Sequence, residues 1–289
     1  MLHRFLVSWV VFLWAAGAGP AMAQDILKRI ADRQQVVIGY SETAAPFSFR
    51  AGGAPAGYAI DLCGSVVDRL RRELGQPGLA ARFVPVDQDS VVRHVSAGSV
   101  DLLCGGVSDT PARRNLLTFS APIFLSAVKL MVRADDGPRT LSALKGKTVA
   151  VVGRTTAEAA INTLNKQQGL DIRMSRVVSP DAALSELRLH QADAWARDEI
   201  LLLGTIAREP DAARFAILQD VLSTETIAIA MPPDAQMQRF VNATLAELTR
   251  SGRLEPLYDK WFVHPNPAAA SGLKTPMSPE LKAEFARLR

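Results

Sequence analysis

Short apolar runs alternate with amphipathic helical segments along most of this chain, and the alternation starts twice. Gln35 to Tyr40 (Gln-Val-Val-Ile-Gly-Tyr), Arg82 to Val86 and Val100 to Cys104 read as buried strands. Between the first two, Tyr58 to Leu74 sets Ala59, Leu62, Cys63, Val66, Leu70 and Leu74 on one helical face, and Gly75 and Pro77 end it. Asp89 is placed to cap a short helix closing at Gly98. After the polar turn at 134–138 the pattern resumes. Strands at Thr148–Val152, Ile172–Val177 and Asp193–Ala196 are interleaved with helices opened by Gly153-Arg-Thr-Thr156, by Pro180 and by Asp198. A strand followed by a helix reaches the next parallel strand only by a crossover. The pattern therefore predicts an α/β chain of two units, each a mostly parallel sheet flanked by helices.

The strand Ile227–Met231 and the helix Asp234–Ser251 need a sheet to cover, and the first unit offers one. That return gives two lobes, 24–124 plus 225–264 and 125–224, joined by two crossings near 122–127 and 222–226. Two crossings make a hinge, so a site between the lobes can close on a ligand. Segment 265–276 is rich in Pro, Ala and Gly and shows no packing face, so 265–289 is expected to run over the surface and end in a short helix from Pro279 to Leu288.

Residues 1–23 hold a basic start, an apolar run from Phe5 to Ala18 and Ala21-Met22-Ala23, the pattern of an export signal that leaves Gln24 as the first mature residue. The run is short for a bilayer span. The formal net charge is +4 with its charges scattered, and no basic run with interleaved aromatics appears, so nucleic acid is not an expected partner. Two cysteines, Cys63 and Cys104, in an exported chain allow one disulfide or two buried free thiols. The four histidines (3, 94, 190 and 264) stand far apart, and Gly153-Arg-Thr-Thr is too short for a phosphate loop, so neither a metal nor a cofactor is expected.

Chemistry concentrates at 103–113, Leu-Cys-Gly-Gly-Val-Ser-Asp-Thr-Pro-Ala-Arg, where a strand runs into a glycine pair. Gly105 and Gly106 let backbone approach a ligand, Ser108 or Thr110 can cap a helix with Pro111 at its first position, and Arg113 can present its planar fork. A guanidinium beside helix N–H groups, at the carboxyl end of a strand, is a site for a small carboxylate.

Several linked motifs, in order, carry a resemblance. They are Val37-Ile-Gly-Tyr…Pro46-Phe-Ser-Phe…Gly57-Tyr-Ala-Ile-Asp61; Asp101 to Arg113 with Phe119-Ser-Ala-Pro; Leu144-Lys-Gly-Lys-Thr-Val-Ala-Val; Ala192-Asp-Ala-Trp-Ala-Arg-Asp198; and Tyr258-Asp-Lys-Trp-Phe262. Together they resemble the bacterial family 3 solute-binding proteins, two-lobed periplasmic binding proteins of the type II-like fold that serve polar amino-acid ABC importers. The tail Pro276 to Phe285 is similar to the glutamate/aspartate-binding branch. The resemblance implies that Arg113 pairs with an α-carboxylate and that Ser108 binds both α groups. It further implies that the Gly106 carbonyl and Asp198 receive the α-ammonium and that Thr156 adds an N–H to the carboxylate. It also implies a monomer that delivers its ligand to a membrane permease.

For the ligand side chain, Ser41, Gln88 and Ser90 are the candidate contacts, with Tyr58 at the mouth and Glu42 available to a cationic group. No basic residue stands at these positions, which favours a polar neutral amino acid over an acidic one. A periplasmic dehydratase-like enzyme or an accessory binding protein on the same scaffold are the alternatives. Catalysis would need an oriented acid or base in the cleft, and Glu42 is the candidate there.

Overall fold

The computed structural model describes residues 25–87 and 90–288. The predicted export signal, the Asp89 cap and the Gln88 contact lie outside the described residues.

Helix α1 (Ile26–Arg33) is capped by Asp25 and leads into β1 (Gln35–Tyr40). The turn-rich stretch that follows holds a small antiparallel sheet, β2 (Thr43–Ala44), β3 (Ser48–Ala51) and β4 (Ala54–Ala56). Helix α2 (Tyr58–Glu73) buries Leu62, Cys63, Val66 and Leu70, the face its spacing predicts. Strand β5 (Ala80–Pro85), helix α3 (Val91–Ser96) and strand β6 (Leu102–Ser108) complete the first unit, followed by α4 (Pro111–Arg114) and β7 (Thr118–Phe119).

Strand β8 (Phe124–Arg133) leads into the second unit. That unit comprises β9 (Thr148–Val152), α5 (Thr156–Gln168), β10 (Arg173–Val177), α6 (Pro180–Arg188), β11 (Ala194–Asp198), α7 (Glu199–Ile206) and β12 (Phe215–Ile217). Strand β13 (Ser223–Met231) returns the chain, and α8 (Ala235–Arg250), α9 (Leu254–Phe262) and α10 (Pro279–Ala286) end it.

The large sheet runs β10-β9-β11-β8-β13-β6-β1-β5. Both flanks are parallel, β5-β1-β6 on one side and β10-β9-β11 on the other. The joining strands are antiparallel: β8 and β13 pair with each other from Phe124↔Ile227 to Val128↔Ser223. Two groups of buried side chains follow this division. Ile38, Leu62, Leu102, Phe124, Val241 and Phe262 belong to one core, and Val128, Leu130, Val149, Val151, Ile161 and Ala194 to another.

Two sequence expectations change. Segment 265–276 has a packing role after all, because Ala268 and Ala269 are buried. Small side chains enter a core without a periodic face, and here Asn266 sets the path. Its Oδ1 accepts from the N–H groups of Ala268 and Ala269, and its Nδ2 donates to carbonyls of Lys260, Trp261 and His264. The terminal helix forms as expected, yet Leu281 and Phe285 are buried against the first core rather than resting on the surface. The cysteine alternative is also resolved: Cys63 of α2 and Cys104 of β6 form a disulfide, with Cα atoms 6.5 Å apart.

Candidate ligand-binding site

A cavity of about 490 Å³ lies where the carboxyl ends of the parallel strands of both flanks converge. Ser41, Gly105, Gly106, Ser108 and Arg113 line it from the first flank, and Thr155, Thr156, Arg197 and Asp198 from the second.

Local chemistry explains each position. Strand β6 continues past Cys104 through the glycine pair and ends at Ser108. Gly106 has a φ of 71°, and a Cβ there would come within 2.7 Å of the Phe47 ring, so conformation and space both demand glycine. The helix cap is Thr110, whose hydroxyl accepts from the Arg113 N–H at 3.3 Å. That leaves the buried Ser108 at the strand end, where its carbonyl accepts from Arg113 Nη1 at 2.9 Å and aims the guanidinium. Ser41 is held by reciprocal bonds with Ser48: its N–H donates to Ser48 Oγ at 3.0 Å and its carbonyl accepts from that hydroxyl at 2.8 Å.

On the other flank the cap of α5 is Thr155, which accepts from the Glu158 N–H, so Thr156 occupies the first helical position with its backbone at the cavity. Asp198 ends β11 and precedes α7, yet its side chain makes no cap bond. The residue is buried, 7% exposed. Burial, reinforced by the nearby Glu225 carboxylate and opposed by Arg197 and Arg113, pushes its pKa up to about 7. Burial also pushes the Arg113 guanidinium below its ordinary value, against the fields of Glu225 and Asp198. One cavity thus holds a cation and an anion on opposite walls, both short of full solvation. A dipolar molecule spanning them would bring each an opposite charge and hydrogen bonds.

Tyr58 departs from its predicted role. It is fully buried, with its ring against Tyr258 and Phe262 at 5.8 and 5.1 Å, because the first turn of α2 is pinned when its N–H donates to the Pro46 carbonyl. Phe47 and Phe49 are core residues as well. Glu42 does line the cavity, and it is oriented: Arg50 Nε donates to it at 2.6 Å and Tyr40 OH at 3.2 Å, with the arginine bond holding its pKa down.

Three groups escaped the sequence reading. Asp87 lines the cavity and stays ionised because Ser90 donates to it. Glu225 lies buried on β13, close enough to shift both Arg113 and Asp198. Arg197 brings a second guanidinium to the cavity, with its Nη2 donating to the Thr43 carbonyl at 3.1 Å. Strand alternation gave no signal for Arg197, since it sends neighbours Arg197 and Asp198 to opposite faces although both line the cavity.

The profile of the bacterial extracellular solute-binding proteins, family 3, matches residues 36–264. The chain belongs to that family. The glutamate/aspartate import solute-binding protein of Escherichia coli (strain K12) is 27% identical over 280 residues, covering 94% of this chain and 93% of that protein. Among solved structures, a mutant ArgBP from T. maritima superposes with a TM-score of 0.72 at 28% identity, over 82% of this chain and 98% of that one. An ancestral arginine-binding protein bound to arginine gives 0.71 at 26% identity, over 80% and 99%. The family assignment accounts for the two-flanked sheet and for a cavity at the junction of the flanks.

Proposed function

We propose that this family 3 protein is a periplasmic receptor that captures an amino acid between two closing lobes and delivers it to an ABC importer, acting as a monomer. The lobes in this reading are 24–124 plus 225–264 and 125–224, the long strands β8 and β13 are the crossings, and the first residues are a removed export signal. Arg113 takes the α-carboxylate with help from the Thr156 N–H, and Asp198, the Gly106 carbonyl and Ser108 take the α-ammonium. Ser41 is assigned to the ligand side chain, as is Gln88 on the sequence alone. Tyr58 has no part, being enclosed in the core.

The observation that carries the reading is the opposition of Arg113 and Asp198 across one cavity, from segments far apart in sequence. A ligand that bridges them binds the closed form in preference to the open one. Binding rather than catalysis is supported by relatives named as import and binding proteins, and Glu42, the acid the sequence offers for catalysis, is engaged by Arg50.

Isothermal titration with the L-amino acids is the test. Arg113→Ala and Asp198→Ala are each expected to weaken binding by about 2–5 kcal/mol, roughly thirtyfold or more. Wild-type affinity in both variants, or turnover of the bound compound, would overturn the proposal.

A further inference from the structure

A second meeting of the two flanks lies beside the cavity, where α7 rests on the Thr43–Pro46 turn. Gly204 sits inside α7, with a backbone conformation open to any residue. A glycine at such a position costs about 1 kcal/mol relative to alanine. Its reason is spatial: a Cβ at 204 would collide with the Ala45 carbonyl oxygen. Beside this contact Ile200 and Leu201 of α7 are buried in the same core as Ala44 and Ala45. At the near end, Arg197 Nη2 donates to the Thr43 carbonyl at 3.1 Å, and Nη1 reaches Thr205 Oγ1 at 3.4 Å. The guanidinium lies over the Trp195 ring, 5.4 Å from its centroid, which fixes the side chain on its own flank before it reaches across. The contact therefore combines a close backbone approach, a small apolar patch and one charge-assisted bond to a carbonyl that water can also satisfy. Such a set is suited to forming and parting.

We propose that α7 and the Thr43–Pro46 turn form a latch, with Gly204 and Arg197 as its two positioning residues, that biases the chain toward the closed form whatever ligand is bound. The proposal rests on the reading above that the two lobes part and close. The latch adds a closing energy from contacts between the two flanks, separate from the groups assigned to the ligand's α-carboxylate and α-ammonium. Affinity then depends on it as a common factor, because a ligand that binds the closed form is weakened by whatever fraction of closed form is lost.

The test uses the mature chain and the variants Gly204→Ala, Arg197→Gln and Gly64→Ala. Gly64 lies in α2 with nothing within 4 Å of a Cβ, so it controls for a glycine change as such. Small-angle X-ray scattering of the ligand-free proteins reads the latch directly. Gly204→Ala and Arg197→Gln are expected to raise the radius of gyration, and Gly64→Ala to leave it alone. Titration with L-glutamate, L-glutamine and L-arginine reads the common factor. Each ligand that binds should weaken about tenfold in Gly204→Ala, within the usual range of coupling energies and by the same ratio for all. Melting curves confirm that the variants are folded, and Arg197→Gln, which adds no bulk, carries the test if Gly204→Ala is not.

Unchanged scattering and affinity in both variants would overturn the latch. So would an Arg197→Gln loss confined to L-glutamate, which would make Arg197 a reader of the ligand's side chain. If none of the three amino acids binds the wild type, titration with the other seventeen tests the amino-acid reading, while the scattering comparison still decides the latch.

Discussion

Asp198 shows how one side chain can couple capture to acidity. Its pKa of about 7 in the ligand-free fold reflects burial first and the Glu225 carboxylate second, with Arg197 and Arg113 pulling the other way. A raised carboxyl pKa means that protonation favours the fold. This contribution to stability is complete below the unfolded value of 3.8 and lost as the pH rises through about 7. Binding has the opposite sign, because an ammonium group needs the ionised form. Affinity is expected to be flat above about pH 7 and to fall below it, by up to about tenfold per pH unit. Titrations in buffers of different ionisation enthalpy should show a proton released on binding near pH 6. Asp198→Asn should bind weakly and without this slope, and a wild-type affinity equal at pH 5.5 and 8 would contradict the assignment. Gly106 marks another limit at this scale. Gly106→Ala places a methyl group against the Phe47 ring at a positive φ, with an expected loss of about 2 kcal/mol in denaturant unfolding.

Among the elements, those with a clear period were legible in sequence. Helices α2, α5, α6 and α8 fall within a few residues of where the sequence places them, because an apolar face every three or four residues leaves little choice. The small sheet β2-β3-β4 was not legible. Its strands are two to four residues long, too short to display alternation, and its turn residues read as loop. Strand β6 was cut short at the glycines, which the ladder to β13 tolerates as far as the Ile227↔Ser108 pair. At the site, Arg113, Ser108, Gly106, Thr156 and Asp198, which the motifs single out, all line the cavity. Arg197 was missed because its meaning comes from Thr43, 154 positions away in sequence. Tyr58 misled because a tyrosine at a helix start resembles a cleft residue until the ring cluster of α9 encloses it.

The disulfide belongs to this scale, since it ties α2 to β6 just before the glycine pair. It closes a separation of 41 residues. Reduction is expected to cost about 2–4 kcal/mol in the chain-entropy view, seen as a lower urea midpoint with dithiothreitol. An unchanged midpoint would show that packing alone holds the two elements together. At the far end, Phe285 is buried against the first core, so Phe285→Ala should cost about 3–5 kcal/mol and detach α10.

At the scale of the whole molecule, hydrophobic clusters of both flanks cover one sheet, and the cavity lies where the flanks meet. Anything that binds only the closed form adds its energy to both cores at once. Ligand at a hundred times its dissociation constant should raise the unfolding free energy by about 2.7 kcal/mol, visible as a shift of a single melting transition. A screen of the twenty amino acids by this readout would identify the cargo, and a flat response to all of them would point away from amino acids. The joining ribbon governs how the halves can travel. Because β8 and β13 are laced together rung by rung between Phe124 and Val128, neither can swivel unless its partner swivels with it. In the proposed closure, travel between the halves is confined to the bending and twisting of this two-stranded strap, so the way out retraces the way in.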